Sequence, residues 1–373
     1  MPLDPVWEDG AWRPLPQLDS DVECDVCVVG LGGSGLACIG ELLDLGVRVV
    51  GLDASAVAAG AAGRNGGFLL AGTSAFYHDA VARYGRARAR TIYTQTLQEI
   101  ERIAAETPAA VRRTGSLRIA ASAEEAHDCA VQYADLQADG FPVELYDGPE
   151  GSGLLIPGDA SFDPLLRCRT LALRALDRSA ALYARSEAVE IGSGSVRTMR
   201  GAVSCAAVIV AVDGALTRVL PELRDVVRTA RLQMLATAPT SEVDLPRPVY
   251  SRYGFEYWQQ LPDRRIAIGG FRDIGGAREW TESVGVTPSV QAALERHLRD
   301  VIGVRAAITH RWSATVGYTA DGLPVFEEVR PRVWAIGAYS GTGNVIGSIC
   351  GRAAARLVVH DDPTLAAALL QPA

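Results

Sequence analysis

A chain of 373 residues exceeds what one ordinary hydrophobic core holds, so two lobes are expected. Hydrophobic content of 48% with 21% charged residues excludes a disordered protein, and a net charge of -8 argues against nucleic acid or an anionic membrane as the main partner. No run of about 18 apolar residues occurs and Met1-Pro-Leu-Asp-Pro-Val-Trp7 lacks a signal-peptide pattern, so a cytoplasmic location without integral membrane contact is expected.

Residues 1–22, with Trp7, Trp12 and several prolines, read as an irregular strap lying on the fold. Asp25–Gly30 is almost continuously apolar, as a buried parallel strand should be. Cys24 and Cys27 spell C-x-x-C around this strand, but no second Cys/His pair stands at zinc spacing, so no metal is expected. Ser34–Leu45 places Leu36, Ile39, Leu42 and Leu43 at helical spacing and Gly46 stops it, after which Val47–Asp53 is a strand. A Gly/Ala-rich stretch, Ala58–Gly72, precedes an amphipathic helix expected over Thr91–Ala105 on the outside of a second lobe. Further on, Gly115–Ala120 reads as a strand, Leu165–Leu182 as a helix and Val208–Ala211 as a short buried strand. Glu256–Arg272 reads as a hairpin around Pro262-Asp-Arg264, and Val290–Ile302 as a helix. Val333–Gly337 is another buried strand, followed by a Gly-rich turn and a helix over Asn344–Val359.

Gly30-Leu-Gly32-Gly33-Ser34-Gly35 matches G-x-G-x-x-G between a strand and a helix. The first glycine makes the tight turn, the second admits a pyrophosphate to the backbone, and the third lets helix pack on strand. The helix N-terminus offers free N–H groups and partial positive charge to the phosphates. Asp53, with Ala54 and Ser55 after it, ends the next strand where a carboxylate can accept from a ribose diol. FAD and NAD share this fingerprint. Instead of the next βα unit usual after the acid in an NAD protein, Gly60-Ala-Ala-Gly63-Arg64-Asn65-Gly66-Gly67 follows, and Phe68 ends it. Such a loop lets backbone lie against a flat ring.

That Gly-x-x-Gly-Arg-Asn-Gly-Gly string is similar to the loop after the acid-bearing strand in the FAD-dependent oxidoreductases that include D-amino acid oxidase, glycine oxidase, sarcosine oxidase and γ-glutamylputrescine oxidase, most of all the last branch. Thr114-Gly-Ser-Leu117, Glu187-Ala-Val189 with Val208-Ile-Val-Ala211-Val212-Asp-Gly214, Gly317-Tyr-Thr-Ala-Asp321-Gly-Leu-Pro324 and Gly337-Ala-Tyr-Ser-Gly341-Thr342-Gly343-Asn344 resemble further family motifs in the family's order.

The resemblance implies a Rossmann-like FAD-binding lobe, discontinuous over 1–75, 150–228 and 305–373, and a substrate-binding lobe over 76–149 and 229–304 built on a mostly antiparallel sheet, an α/β + α+β fold. Val189, Ala211, Val212 and Gly317 join the cofactor candidates named above. The Gly-rich turn opening the last helix (Gly341, Thr342, Gly343, Asn344, Val345) would aim N–H groups at the negative charge that builds on a reduced flavin. FAD is expected to be non-covalent. Val316 stands where some relatives carry a flavin-linking cysteine, and Gly63 stands nearest to where others carry a histidine.

The implied reaction is oxidation of an amine or amino-acid C–N bond by hydride transfer to flavin N5, giving an imine that hydrolyses. Electrons would pass to O2 or to a quinone or carrier acceptor. Rival readings are a dehydrogenase on the same fold, a non-catalytic flavin-binding module, and an NAD enzyme sharing the fingerprint. Substrate contacts are sought on the hairpin strand at Tyr257, Trp258 and Gln260, and at Arg272 and Trp312, with Tyr250 and Tyr253 nearby. Alternation means that either Tyr257 and Gln259 or Trp258 and Gln260 face the ring. An aromatic, largely uncharged pocket would lower the amine's pKa by desolvation, so no catalytic base is named. Relatives that bind a small amino acid's carboxylate often place a cation where Gln259 and Val345 stand, so an amine, or a carboxylate held farther off by Arg272, is expected. The chain contains no lysine.

Overall fold

The computed structural model describes residues 4–370 apart from 9 and 11. A six-stranded sheet carries the strands Ala181–Tyr183, Val49–Leu52, Val26–Val29, Ala207–Val210, Val333–Gly337 and Val325–Arg330 in that spatial order. The first five run parallel and the sixth antiparallel. Val26–Val29, Val49–Leu52 and Ala207–Val210 are buried at every position, which is why each is an unbroken apolar run. The helices Gly33–Asp44 and Ile346–His360 cover one face, and they approach so closely that a Cβ at Gly351 would sit 2.1 Å from the Ser34 carbonyl oxygen. Val26–Val29 has its sequence successor on one side and a much later strand on the other. This reversal opens a crevice at the strands' C-terminal ends, where a ligand binds in such sheets.

An eight-stranded sheet orders Ile308–Tyr318, Arg228–Thr237, Ile266–Gly270, Glu256–Gln260, Val249–Ser251, Ser116–Ile119, Gly151–Ile156 and Glu144–Gly148. All its pairings are antiparallel except Val249–Ser251 with Ser116–Ile119. The helix Pro288–Asp300 packs Val290 and Leu294 onto one face against Trp258 and Ile268. The strands Gly151–Ile156 and Ile308–Tyr318 hydrogen-bond into this sheet, although the sequence grouped both stretches with the nucleotide lobe.

Three local expectations need correction. The helix expected over Leu165–Leu182 is Pro164–Asp177, capped by Asp163, and Leu182 belongs to the edge strand of the parallel sheet. Gly51 opposite makes room there, since a Cβ on it would sit 2.7 Å from Leu182 Cδ2. The helix expected over Thr91–Ala105 runs Arg86–Glu106 and is not confined to the outside of the second lobe. Arg102–Glu41 (3.0 Å), Arg352–Glu99 (3.1 Å) and Arg352–Glu106 (2.7 Å) clamp it to the two helices of the nucleotide sheet. The final helix starts at Ile346, two residues later than expected. The strap does lie along the fold: Ala184 N–H donates to the Pro16 carbonyl (2.9 Å) and Leu18 N–H to Ser186 Oγ (2.9 Å). No described helix is long and apolar enough to cross a membrane.

Candidate active site

The nucleotide end is built by the first βαβ unit. Gly30 has φ +109°, a value L side chains rarely adopt, and a Cβ there would lie 2.4 Å from the Ala211 carbonyl oxygen. Gly35 packs its Cα on the Gly30 carbonyl, with 1.9 Å left for a Cβ. The helix Gly33–Asp44 begins with no capping side chain and no acid in its first turn, so its leading N–H groups are left for an anion. Asp53 accepts from Leu31 N–H (2.9 Å) and Ser55 N–H (2.8 Å), tying the glycine loop to the end of the neighbouring strand. Burial raises its pKa, against the pull of those two N–H groups. Ala54 and Ser55 are exposed beside it. Val189 is half exposed and its N–H is already bonded to the Arg197 carbonyl (2.8 Å), which leaves only its carbonyl for a ligand. Ala211 and Val212 line the back of the Gly30 turn.

The loop Arg64–Phe68 is held rigid. Asn65 Nδ2 donates to the carbonyls of Ala61 (3.1 Å) and Ala62 (2.9 Å), and its Oδ1 accepts from Gly67 N–H (2.9 Å). Trp312 Nε1 donates to the Arg64 carbonyl (2.8 Å) and Trp7 Nε1 to the Asn65 carbonyl (3.0 Å). Arg64 Nε donates to the Ser313 carbonyl (2.8 Å). The terminal Gly-rich turn meets this loop through Asn344, whose Nδ2 reaches Asn65 Oδ1 (3.1 Å) and the Phe68 carbonyl (2.8 Å). The turn winds through left-handed Ala338, Ser340 and Gly341 (φ 52°, 51° and 95°) before an uncapped helix start at Val345. Asp213 fixes that turn, accepting from Tyr339 N–H (3.2 Å) and Gly317 N–H (3.5 Å). Burial pushes its carboxyl up to about 6.

A cavity of about 410 Å³ opens between these loops and the eight-stranded sheet. Strand register decides which side chains face it. Arg118, Tyr250, Tyr257, Gly269, Met234 and Trp312 lie directly opposite one another across six strands, so their side chains share one face. Tyr257 folds over Gly269, where a Cβ would come within 2.4 Å of its ring, and it touches Gly66. Leu232, Val316 and Tyr318 continue this face at the cavity wall. Arg272 reaches in beyond the end of Ile266–Gly270, its guanidinium carbon 5.1 Å from the Tyr318 ring and 4.6 Å from the Trp280 ring.

Several residues singled out in the sequence are therefore elsewhere. Trp258 faces the opposite side of the sheet, buried with His297 (ring centroids 4.9 Å apart) against the helix Pro288–Asp300. Gln260 accepts from Leu245 N–H (3.0 Å) and donates to the Thr240 carbonyl (3.2 Å), a loop-holding role. Trp312 shares the correct face but is fully buried beneath the loop it anchors and does not line the cavity. Tyr257 and Arg272 do line it. Gln259 faces the loop, donating to the Gly66 carbonyl (2.6 Å). The pocket is not largely uncharged: Arg83, Arg118 and Arg272 line it with a single carboxylate, Asp159. Sequence reasoning missed Arg118, Asp159 and Tyr93. Arg118 had a local signal, standing between Leu117 and Ile119 on the alternate face of a strand.

The chain matches the FAD dependent oxidoreductase family over residues 25–357. It belongs to that family. A curated relative, gamma-glutamylputrescine oxidoreductase of Escherichia coli (strain K12), is 28% identical and aligns with 94% of this chain and 87% of its own. In fold, this oxidoreductase is similar to glycine oxidase from Geobacillus kaustophilus (TM-score 0.77, 20% identity, 94% and 100% of the two chains) and to L-proline dehydrogenase from P. horikoshii (TM-score 0.75, 17% identity, 92% and 96%). Its cofactor is FAD. The residues present fit it: an uncapped helix start and side-chain-free cradle for the pyrophosphate, an acid at the ribose position, and a Gly-rich loop joined by Asn344 to the Gly-rich turn before the last helix.

Proposed function

We propose that this oxidoreductase oxidises the C–N bond of an amine or amino acid, with the cavity beneath Tyr250, Tyr257 and Tyr318 as its substrate site. Bound FAD supplies the two-electron acceptor for a hydride leaving the carbon beside the amine nitrogen, and the resulting imine hydrolyses in water. The observation that carries the reading is one continuous cavity touching the Asn65–Phe68 loop, the Ser340–Val345 turn and the tyrosine face together. A substrate held there lies against the ring-binding loops.

The chain's own groups favour the reactive, neutral amine. Burial among aromatic rings disfavours the ammonium form, and the guanidiniums of Arg118 and Arg272 repel it further. Asp159 acts the other way, but both its oxygens are engaged, by Ser116 Oγ (2.6 Å) and Ala71 N–H (2.8 Å). Tyr257 and Arg272 are the substrate contacts of this reading, while Trp312 and Gln259 position the loop. The nucleotide lobe is centred on the six-stranded sheet and the substrate lobe on the eight-stranded one.

The acceptor proposed is a quinone or carrier in preference to O2. No lysine exists to place a compact cation at the flavin, and Arg64 is not on the cavity wall. Incubation of the holoenzyme with amines and a dye acceptor should yield an aldehyde or keto acid with ammonia or a shorter amine. Dye reduction by alcohols or hydroxy acids alone would reject the reading.

A further inference from the structure

Of the three guanidiniums on the cavity wall, Arg83 donates to the Asp321 carbonyl (2.9 Å), while Arg118 and Arg272 have neither a carboxylate within ion-pair distance nor a backbone carbonyl partner among the described residues. Each instead stacks on rings. Arg118 lies 4.3 Å from the Phe76 ring centroid and 5.7 Å from that of Tyr250. Arg272 lies over Phe255, Trp280 and Tyr318. The two share no ring. The strand bearing Arg118 and the strand leading into Arg272 are three strand spacings apart, roughly 14 Å, with the Tyr250 and Tyr257 strands between them. Stacking fixes each planar fork, and Arg272, which also hydrogen-bonds the Tyr318 side chain, keeps further N–H donors for an anion.

We propose that Arg118 and Arg272 form a two-ended clamp, and that the preferred substrate is an amine with a carboxylate at each end of a short chain, its nitrogen held between them over the tyrosine face. This rests on the amine-oxidising reading above and deepens it. Asp159, the one carboxylate on the wall, does not satisfy Arg118. Its oxygens are tied to Ser116 and Ala71, and no ion pair joins it to either arginine. The opposing rings also suit the methylene chain between two such ends, since Tyr250 and Tyr257 stack with centroids 6.3 Å apart.

The test uses the FAD-loaded enzyme and two matched probes, N-butylglycine with one carboxylate and N-(3-carboxypropyl)glycine with two. The expected result is a kcat/KM ratio of at least tenfold in favour of the dicarboxylate, carried mainly by KM. Arg118→Met should bring that ratio to within threefold of one, and Arg118→Lys should restore part of it. Flavin content and thermal midpoint report separately whether the variant is folded. A parental ratio near one, a ratio untouched by Arg118→Met, or rejection of both probes while simple amines are oxidised would overturn the clamp and leave amine oxidation standing. Failure of every amine to reduce the flavin would overturn both.

Discussion

The Asn344 amide donates to Asn65 Oδ1 at 3.1 Å and to the Phe68 carbonyl at 2.8 Å, joining the loop after the first βαβ unit to the turn before the last helix. Both segments line the cavity proposed as the reaction site. Asn344→Ala takes the side-chain donor from the Phe68 carbonyl and one of the two donors from Asn65 Oδ1, a loss of about 1–2 kcal/mol. FAD affinity should fall about tenfold or more with the fold retained, as read by fluorescence titration of the apoprotein. Asn344→Asp, which sets a carboxylate against two acceptors, should be worse than Ala. Unchanged affinity in both would show that the loop–turn link does not shape the flavin site.

Asp53→Ala should give largely apo protein, because it removes both the ribose acceptor and the bonds that hold Leu31 and Ser55. Gly32→Val should do the same by placing a branched side chain at the pyrophosphate's approach. The parent's flavin is expected to be non-covalent, so acid precipitation should leave all the yellow colour in the supernatant. Near-normal flavin in both variants, or colour retained in the pellet, would contradict the assignment.

Burial raises Asp159 from the usual 3.8 to about 6, and Ser116, Ala71 and Arg118 only partly offset it. The folded state therefore binds this proton more tightly than the unfolded chain. The group's favourable contribution is full below pH 3.8 and is lost as pH rises to about 6, a change of up to roughly 3 kcal/mol. Asp213 adds a slope of the same sign. Denaturant titrations from pH 4 to 7 should show Asp159→Asn flattening this fall, with the variant at least as stable as the parent above pH 6. A variant whose stability parallels the parent's at every pH would rule out titration of Asp159 in this range.

Reduced enzyme mixed with oxygenated buffer should reoxidise slowly, and faster with a quinone. Arg272 lines the cavity and could substitute for a lysine, whereas Arg64 turns to the Ser313 carbonyl. Fast stopped-flow reoxidation by O2 that survives Arg272→Met would reject the acceptor proposal.

The nucleotide half was legible because its signals are local: glycines at a turn, apolar runs and a terminal acid within one short segment. The cavity was not, because Arg118, Tyr250 and Tyr257 become neighbours only through strand pairings across the eight-stranded sheet. Alternation alone could not choose between Tyr257 and Trp258, since residues on both faces of that strand are buried. The helix behind Trp258 settles it. The helix Ala123–Ala138 was missed despite a readable start, Ser122 with Glu125, where Ser122 Oγ accepts from Glu125 N–H at 3.1 Å. Trp312 illustrates a different limit: a residue on the cavity's face of the sheet can still be spent on holding a loop.

The most direct measurement is anaerobic mixing of the FAD-loaded enzyme with a panel of amines and amino acids, followed by the flavin absorbance band. One or more amines should bleach the band fully, with an imine-derived carbonyl product in equal amount. A band that no amine bleaches, while dithionite reduces it normally, would contradict amine oxidation by this protein.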